Sequence, residues 1–150
     1  MQATKEQVTE ETFLQSIYQN VKMGSSAIIA LLPKIKDDGL RSAATEALDG
    51  YETYAARAAR ALEERGAPAK EKNPVARLGA KVGMAMETVV DDSTGHLAEL
   101  LIEGSNMGIV EMIKLGNHFD PPGEESDALR LSREIVRFQQ HNLEQFKRYL

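Results

Sequence analysis

The chain has 150 residues, 42% of them hydrophobic, with 18 basic and 23 acidic side chains and a net charge of −5. That length is one domain's worth, and the apolar fraction excludes a disordered chain. Charge spread through the sequence excludes the concentrated basic face that nucleic acid requires, and the lack of cysteine excludes disulfides, thiolate catalysis and zinc–thiolate sites.

Helical periodicity runs through nearly the whole chain. The first helix is expected over about 5–35, capped by Thr4 with Gln7 in a capping box. Its apolar stripe is Phe13, Ile17, Val21, Gly24, Ile28, Leu31 and Ile35, at alternating three- and four-residue steps. Pro33 lacks a backbone donor and clashes with the preceding turn, so the helix should kink or end there, with the turn made by Asp37, Asp38 and Gly39. The second helix, over 40–65, carries Leu40, Ala44, Ala47, Tyr51, Tyr54, Ala58 and Leu62, and Gly66 suits its C-terminal stop. The short link makes these two an antiparallel hairpin.

Residues 67–74, APAKEKNP, are the clearest linker. A short amphipathic helix is expected over 75–90, opened by Pro74, with Val75, Leu78, Val82, Met86 and Val89 on one side. Asp91, Asp92 and Ser93 then break the chain and cap a third long helix over 94–117. The loop HFDPPGEES leads to the last helix, over 127–149, with Leu131, Ile135, Phe138, Asn142 and Phe146 on one face. Sixteen helical residues reach roughly 24 Å, comparable to a bundle's length, so the connection around 75–90 can carry the chain back along it. The expected fold is all-α: one four-helix-bundle domain over 1–150, two antiparallel hairpins joined by a long crossover.

With the phrases LDGYETYAARA on the second helix and LLIEGSNMGIVEMIKL on the third, the chain resembles the ferritin and rubrerythrin-like superfamily, and in particular its small bacterial bundles with a degenerate metal site. The resemblance implies a ferritin-like bundle with a Glu in mid-helix 1, Glu-x-x-His on helix 2, a Glu on helix 3 and Glu-x-x-His on helix 4. This sequence departs from that pattern. From Thr12 to Lys36 there is no Asp or Glu, and the middle of the first helix reads Gln19, Asn20, Val21. Glu10 lies on the inward stripe but near the helix start. Helix 2 has no histidine, and its Glu46, Asp49 and Glu52, spaced by three, supply only carboxylates, while helix 3 offers Glu103 and Glu111. Helix 4 has Arg137 where Glu134 would be followed by a histidine. No di-iron cluster is expected.

His96-x-x-Glu99 and His141-x-x-Glu144 are the His–acid pairs at helical spacing. An i, i+3 pair shares a face, and antiparallel packing of helices 3 and 4 is expected to bring both pairs to a similar height. These four residues could hold a divalent metal (zinc, manganese or iron), against the plainer reading of solvated helix charges. Gly104 and Gly108, with Gly24 to Ala27 on the first helix, suggest close helix contact or, as the lesser reading, a cavity for a ligand.

No nucleophile is grouped with a base, and no glycine-rich phosphate loop is present. The expected function is that of a non-catalytic helical bundle, without cofactor, acting through self-association or a helical partner. Homo-oligomers are expected to form through the 75–90 helix or the bundle's flank. The alternative is a metal-binding or oxidoreductase ferritin-like protein with non-standard ligands. The sequence MQATKEQVTEETF has no apolar signal core, and no run approaches the roughly 20 apolar residues of a membrane span. The expected setting is the cytoplasm, without stable membrane insertion.

Overall fold

The computed structural model describes residues 2–70, 89–119 and 126–150, with side chains from residue 10 onward. Four helices make up most of it: α1 (Gln2–Leu31), α2 (Asp38–Glu64), α3 (Thr94–His118) and α4 (Asp127–Lys147). The described residues contain no strand. Most of the helix expected over 75–90 lies outside the described residues, and Val89 and Val90 are not helical. No described helix is long and apolar enough to cross a membrane.

The helix ends follow from local chemistry. α1 begins at Gln2, two residues ahead of the expected cap at Thr4. It closes into a single 3-10 turn, Leu32–Lys34, with Pro33 in its first positions. Proline has no N–H to give the α-helical ladder, so the chain tightens and leaves. The Asp37 carboxylate accepts the Leu40 N–H at 2.9 Å and starts α2. α2 ends in a Schellman turn: the Gly66 N–H donates to the Glu63 carbonyl and the Ala67 N–H to that of Leu62, both at 2.9 Å. That turn needs a left-handed residue, and Gly66 has φ +71°. Ser126 Oγ accepts the Leu129 N–H at 3.0 Å and starts α4. Ser93 precedes α3 without making such a bond, and its own N–H donates to Asp91 Oδ1 at 3.0 Å.

α1 packs along α2, and α3 along α4. α1 also lies beside α3, and α2 beside α4, which leaves α2 and α3 on a diagonal. Contacts at the two poles give the directions. At one pole Arg65 bonds Glu10 at 2.9 Å, and Phe13 stacks on Phe119 with ring centroids 4.5 Å apart. At the other, Gly39 meets the Tyr149 ring, Gly95 meets Leu150, and Lys36 pairs with Asp92 at 3.1 Å. α2 therefore ends at the first pole and α3 begins at the second, so the link between them joins opposite poles. Two glutamines of α1 hold the start of that link. Gln15 Nε2 donates to the Pro68 carbonyl at 3.0 Å and Gln15 Oε1 accepts the Lys70 N–H at 2.9 Å, while Gln19 Nε2 donates to the Lys70 carbonyl at 2.8 Å.

The expected stripes fill the core, with Ile17, Val21, Leu31, Leu40, Ala58, Leu62 and Ile135 all fully enclosed. Each such Leu, Ile or Val contributes roughly 1.5–3 kcal/mol relative to exposure. Tyr54 is only half-buried, because Ala55 takes the inward position one residue on. The α2–α4 seam is aromatic. Phe138 meets Tyr51 edge-on at 4.9 Å and Tyr54 at 5.1 Å, and Arg57 stands over Tyr54, 5.3 Å from its ring centre.

Two glycines should respond oppositely to alanine. A Cβ on Gly50 would lie 2.2 Å from the Phe138 ring, which its tyrosine neighbours hold in place; Gly50→Ala is expected to cost about 1–3 kcal/mol. A Cβ on Gly104 meets nothing within 4 Å, so Gly104→Ala is expected to gain up to about 1 kcal/mol of helix propensity. Thermal unfolding followed by circular dichroism checks both signs, and a stabilised Gly50→Ala would contradict the seam geometry.

Candidate functional site

The carboxylates considered for a metal centre lie on the outside of the bundle. Glu46, Asp49, Glu103 and Glu111 are exposed. Glu52 is exposed too, accepting the Ser25 hydroxyl at 2.8 Å beside Lys22. Glu134 pairs across the α2–α4 seam with Arg57, whose hydrogen bond holds the Glu134 carboxyl below its usual range. Tyr54 is shifted the other way, raised first by partial burial and then by its neighbour Glu134.

The two His–acid pairs stand apart. Contacts of Gly95 with Leu150, and of Gly108 with Gln139, fix the register of α3 against α4. His96 thus faces the end of the chain, whereas His141 stands near the level of Ser105, about two and a half helical turns away. His96 is half-buried beside Asp91. The Asp91 carboxyl is lowered chiefly by the Ser93 N–H, with a smaller pull from His96. Glu99 and His141 are exposed, and Glu144 pairs with Lys147 one turn on, at 2.9 Å. Among the described residues no three His, Asp or Glu side chains gather as a metal would need.

What occupies the bundle centre is neutral and polar. Asn20, Ser105, Gln139 and Asn142 are all buried there. Asn20 Nδ2 donates to the Gly108 carbonyl at 3.3 Å, and Gln139 Nε2 donates to Asn20 Oδ1 at 3.1 Å. One short chain of bonds therefore joins α1, α3 and α4. Tyr51 brings in α2, with its phenol among Gln139, Asn142 and Ser105. Ser105 Oγ donates back to the Leu101 carbonyl at 2.8 Å, as hydroxyls within helices do. Gly24 and Gly108 make the cluster possible. A Cβ at Gly24 would sit 2.6 Å from the Tyr51 ring, and one at Gly108 would sit 2.6 Å from Gln139 Nε2.

Burial pushes the Tyr51 phenol up to about 12, against the smaller opposing pull of its Gln139, Asn142 and Ser105 neighbours. The centre is thus uncharged at any ordinary pH. Two of its atoms, Gln139 Oε1 and Asn142 Nδ2, are buried without a hydrogen-bond partner. Left unpaired, such atoms cost roughly 1–3 kcal/mol each, and both side chains lie beside the Tyr51 hydroxyl.

The outer face of α3 is the second candidate. Met107, Val110 and Ile113 are 52%, 48% and 44% exposed, although they lie in mid-helix. Glu103, Met107, Val110 and Lys114 repeat at four, three and four residues, so they form one straight strip pointing away from the core. The sequence drew attention to Gly104, Gly108, Asn142 and Tyr51 but passed over Gln139 and this strip. Gln139 falls four residues after Ile135, which is the signal that would have placed it inward.

No protein-family model, curated protein or solved structure matches this chain.

Tyr51 should be visible in alkaline unfolding. Its phenol ionises near 10 in an unfolded chain and about 12 in the fold. The protonated form is the one the fold favours, so its contribution is complete below pH 10 and is lost as pH rises towards 12. The loss should amount to roughly 2–3 kcal/mol. Urea unfolding across that range, in wild type and Tyr51→Phe, is expected to show the decline in wild type and a shallower one in the variant. Parallel profiles would count against a buried phenol.

Proposed function

We propose that this chain is a non-catalytic helical-bundle protein that works by pairing with a second copy of itself, α3 against α3. The observation that carries the reading is the exposed strip Glu103, Met107, Val110, Lys114. Mid-helix apolar side chains left half in water on a bundle that buries its other stripes mark an association surface. The strip is also complementary to itself. Run antiparallel against a second copy about a two-fold axis, Met107 of each chain packs on Val110 of the other. Glu103 of each then meets Lys114 of the other. The charges sit at the rim of an apolar centre, where they choose partner and register more than they add affinity.

Kinship with the ferritin-like superfamily belongs to the same proposal and rests on the path of the chain: two hairpins, with a link from pole to pole. The lack of cysteine suits a reducing compartment such as the cytoplasm. No observed geometry favours the metal-binding alternative at His96, Glu99, His141 and Glu144.

Charge reversal tests the pairing. Glu103→Lys or Lys114→Glu alone places two like-charge contacts in each dimer and is expected to weaken association by roughly tenfold or more. The double variant restores opposite charges and should recover most of the loss. Sedimentation velocity on the three variants and wild type, with circular dichroism to confirm folding, reads this out. A wild-type protein that stays monomeric up to about 100 µM would end the proposal. Single reversals with no effect on a real dimer would move the interface elsewhere, to another flank or to a different helical partner.

A further inference from the structure

A cavity of about 340 Å³ opens on the flank of the bundle between α3 and α4. Its wall is apolar, made by Met112 and Ile113 of α3 and by Leu129 and Val136 of α4. Met112 is fully enclosed and forms the inner side, whereas Ile113 is 44% exposed and stands at the edge. Arg133 and Arg137 line the same cavity. They are four residues apart on α4, so their guanidinium groups are neighbours on one face of the helix. Among the described residues lining the cavity there is no Asp or Glu. Glu134, which lies between the two arginines in the chain, is engaged by its hydrogen bond from Arg57 across the α2–α4 seam.

We propose that this cavity binds a small amphipathic carboxylate, its head at Arg133 and Arg137 and its short apolar chain along Met112, Ile113, Leu129 and Val136. Charge, shape and size select that chemistry. Two like charges one turn apart repel, and an anion between them is attracted by both. The guanidinium is a planar fork of donors that matches the two oxygens of a carboxylate. The wall beside these cations is aliphatic, so a bare anion would leave it in water, whereas a chain of several carbons would cover it. The volume falls within the roughly 300–1,000 Å³ of small-molecule sites. The site lies on the side of α3 turned towards α4 and does not depend on pairing of the chain.

The probe is hexanoate. It is compared with 1-hexanol and hexylammonium, which have a chain of the same length but are neutral and cationic, and with acetate, which keeps the head alone. Backbone amide shifts in nuclear magnetic resonance, followed at Ile113, Gly116 and Val136, report binding. Hexanoate is expected to give saturable shifts at these residues with affinity of the order of millimolar. Hexanol and acetate should each bind roughly tenfold more weakly, the first for want of charge and the second for want of a chain. Hexylammonium should give no saturable shift. Arg133→Gln and Arg137→Gln should each weaken hexanoate severalfold and leave hexanol unchanged. Both side chains are exposed, so the fold should persist, as circular dichroism will show. Arg130→Gln removes the same charge from α4 outside the cavity and should bind hexanoate as wild type does. Asn117→Asp sets a negative charge in the lining at almost unchanged size, and should weaken hexanoate while sparing hexanol. The proposal is overturned if hexanoate gives no saturable shift at these residues, or if hexanol or acetate matches it. It is equally overturned if Arg130→Gln weakens hexanoate as much as Arg137→Gln does, the mark of a general attraction to basic side chains.

Discussion

The bond from Gln139 to Asn20, and from Asn20 on to the Gly108 carbonyl, ties α4, α1 and α3 at one level of the bundle. Apolar packing alone would let one hairpin slide against the other by a turn at modest cost, since Leu and Ile serve at many heights. Buried amides do not allow it. A one-turn slip would set Asn20 and Gln139 against aliphatic side chains and leave both amides without partners, at a few kcal/mol for the pair. The two glycines that admit Tyr51 and Gln139 would also be carried out of place. The docking of the hairpins and the outward direction of the α3 strip both follow from that register.

The chemistry of this centre differs in kind from that of a carboxylate-lined bundle. Buried carboxylates repel one another and need a cation or protons to be tolerated inside. Amides, hydroxyls and a phenol held neutral need neither. They bond to one another and to helix carbonyls, and what they leave unmet is hydrogen-bonding capacity rather than charge.

Much of the fold was legible in the residues. The three- and four-residue steps of Phe13, Ile17, Val21 and Ile28 gave the inward face of α1, and Leu40, Ala44 and Ala47 gave that of α2, because both helices have a polar side against which the stripe stands out. Pro33, Asp37 and Gly66 marked ends through properties of the single residue. α3 was harder. Met107, Val110 and Ile113 are as apolar as the buried Leu101, Ile109 and Met112, so periodicity cannot say which side of α3 faces the core. Gln139 stayed hidden because a polar residue on an inward stripe looks like a break in the pattern until its partners are in view. The heights of His96 and His141 depend on how far the α3–α4 connection lets the helices overlap, which no local feature of the sequence fixes.

Ile113 belongs both to the wall of the cavity between α3 and α4 and to the exposed apolar side of α3. A side chain shared by two surfaces makes them thermodynamically reciprocal. Whatever a ligand in the cavity does to the favoured rotamer of Ile113, easing or hindering its contact with another molecule, contact with that molecule must do to the ligand's affinity by the same factor. A β-branched side chain in a helix has few rotamers to move between, so the coupling it transmits is small in size. Its sign is set by which rotamer the two surfaces share.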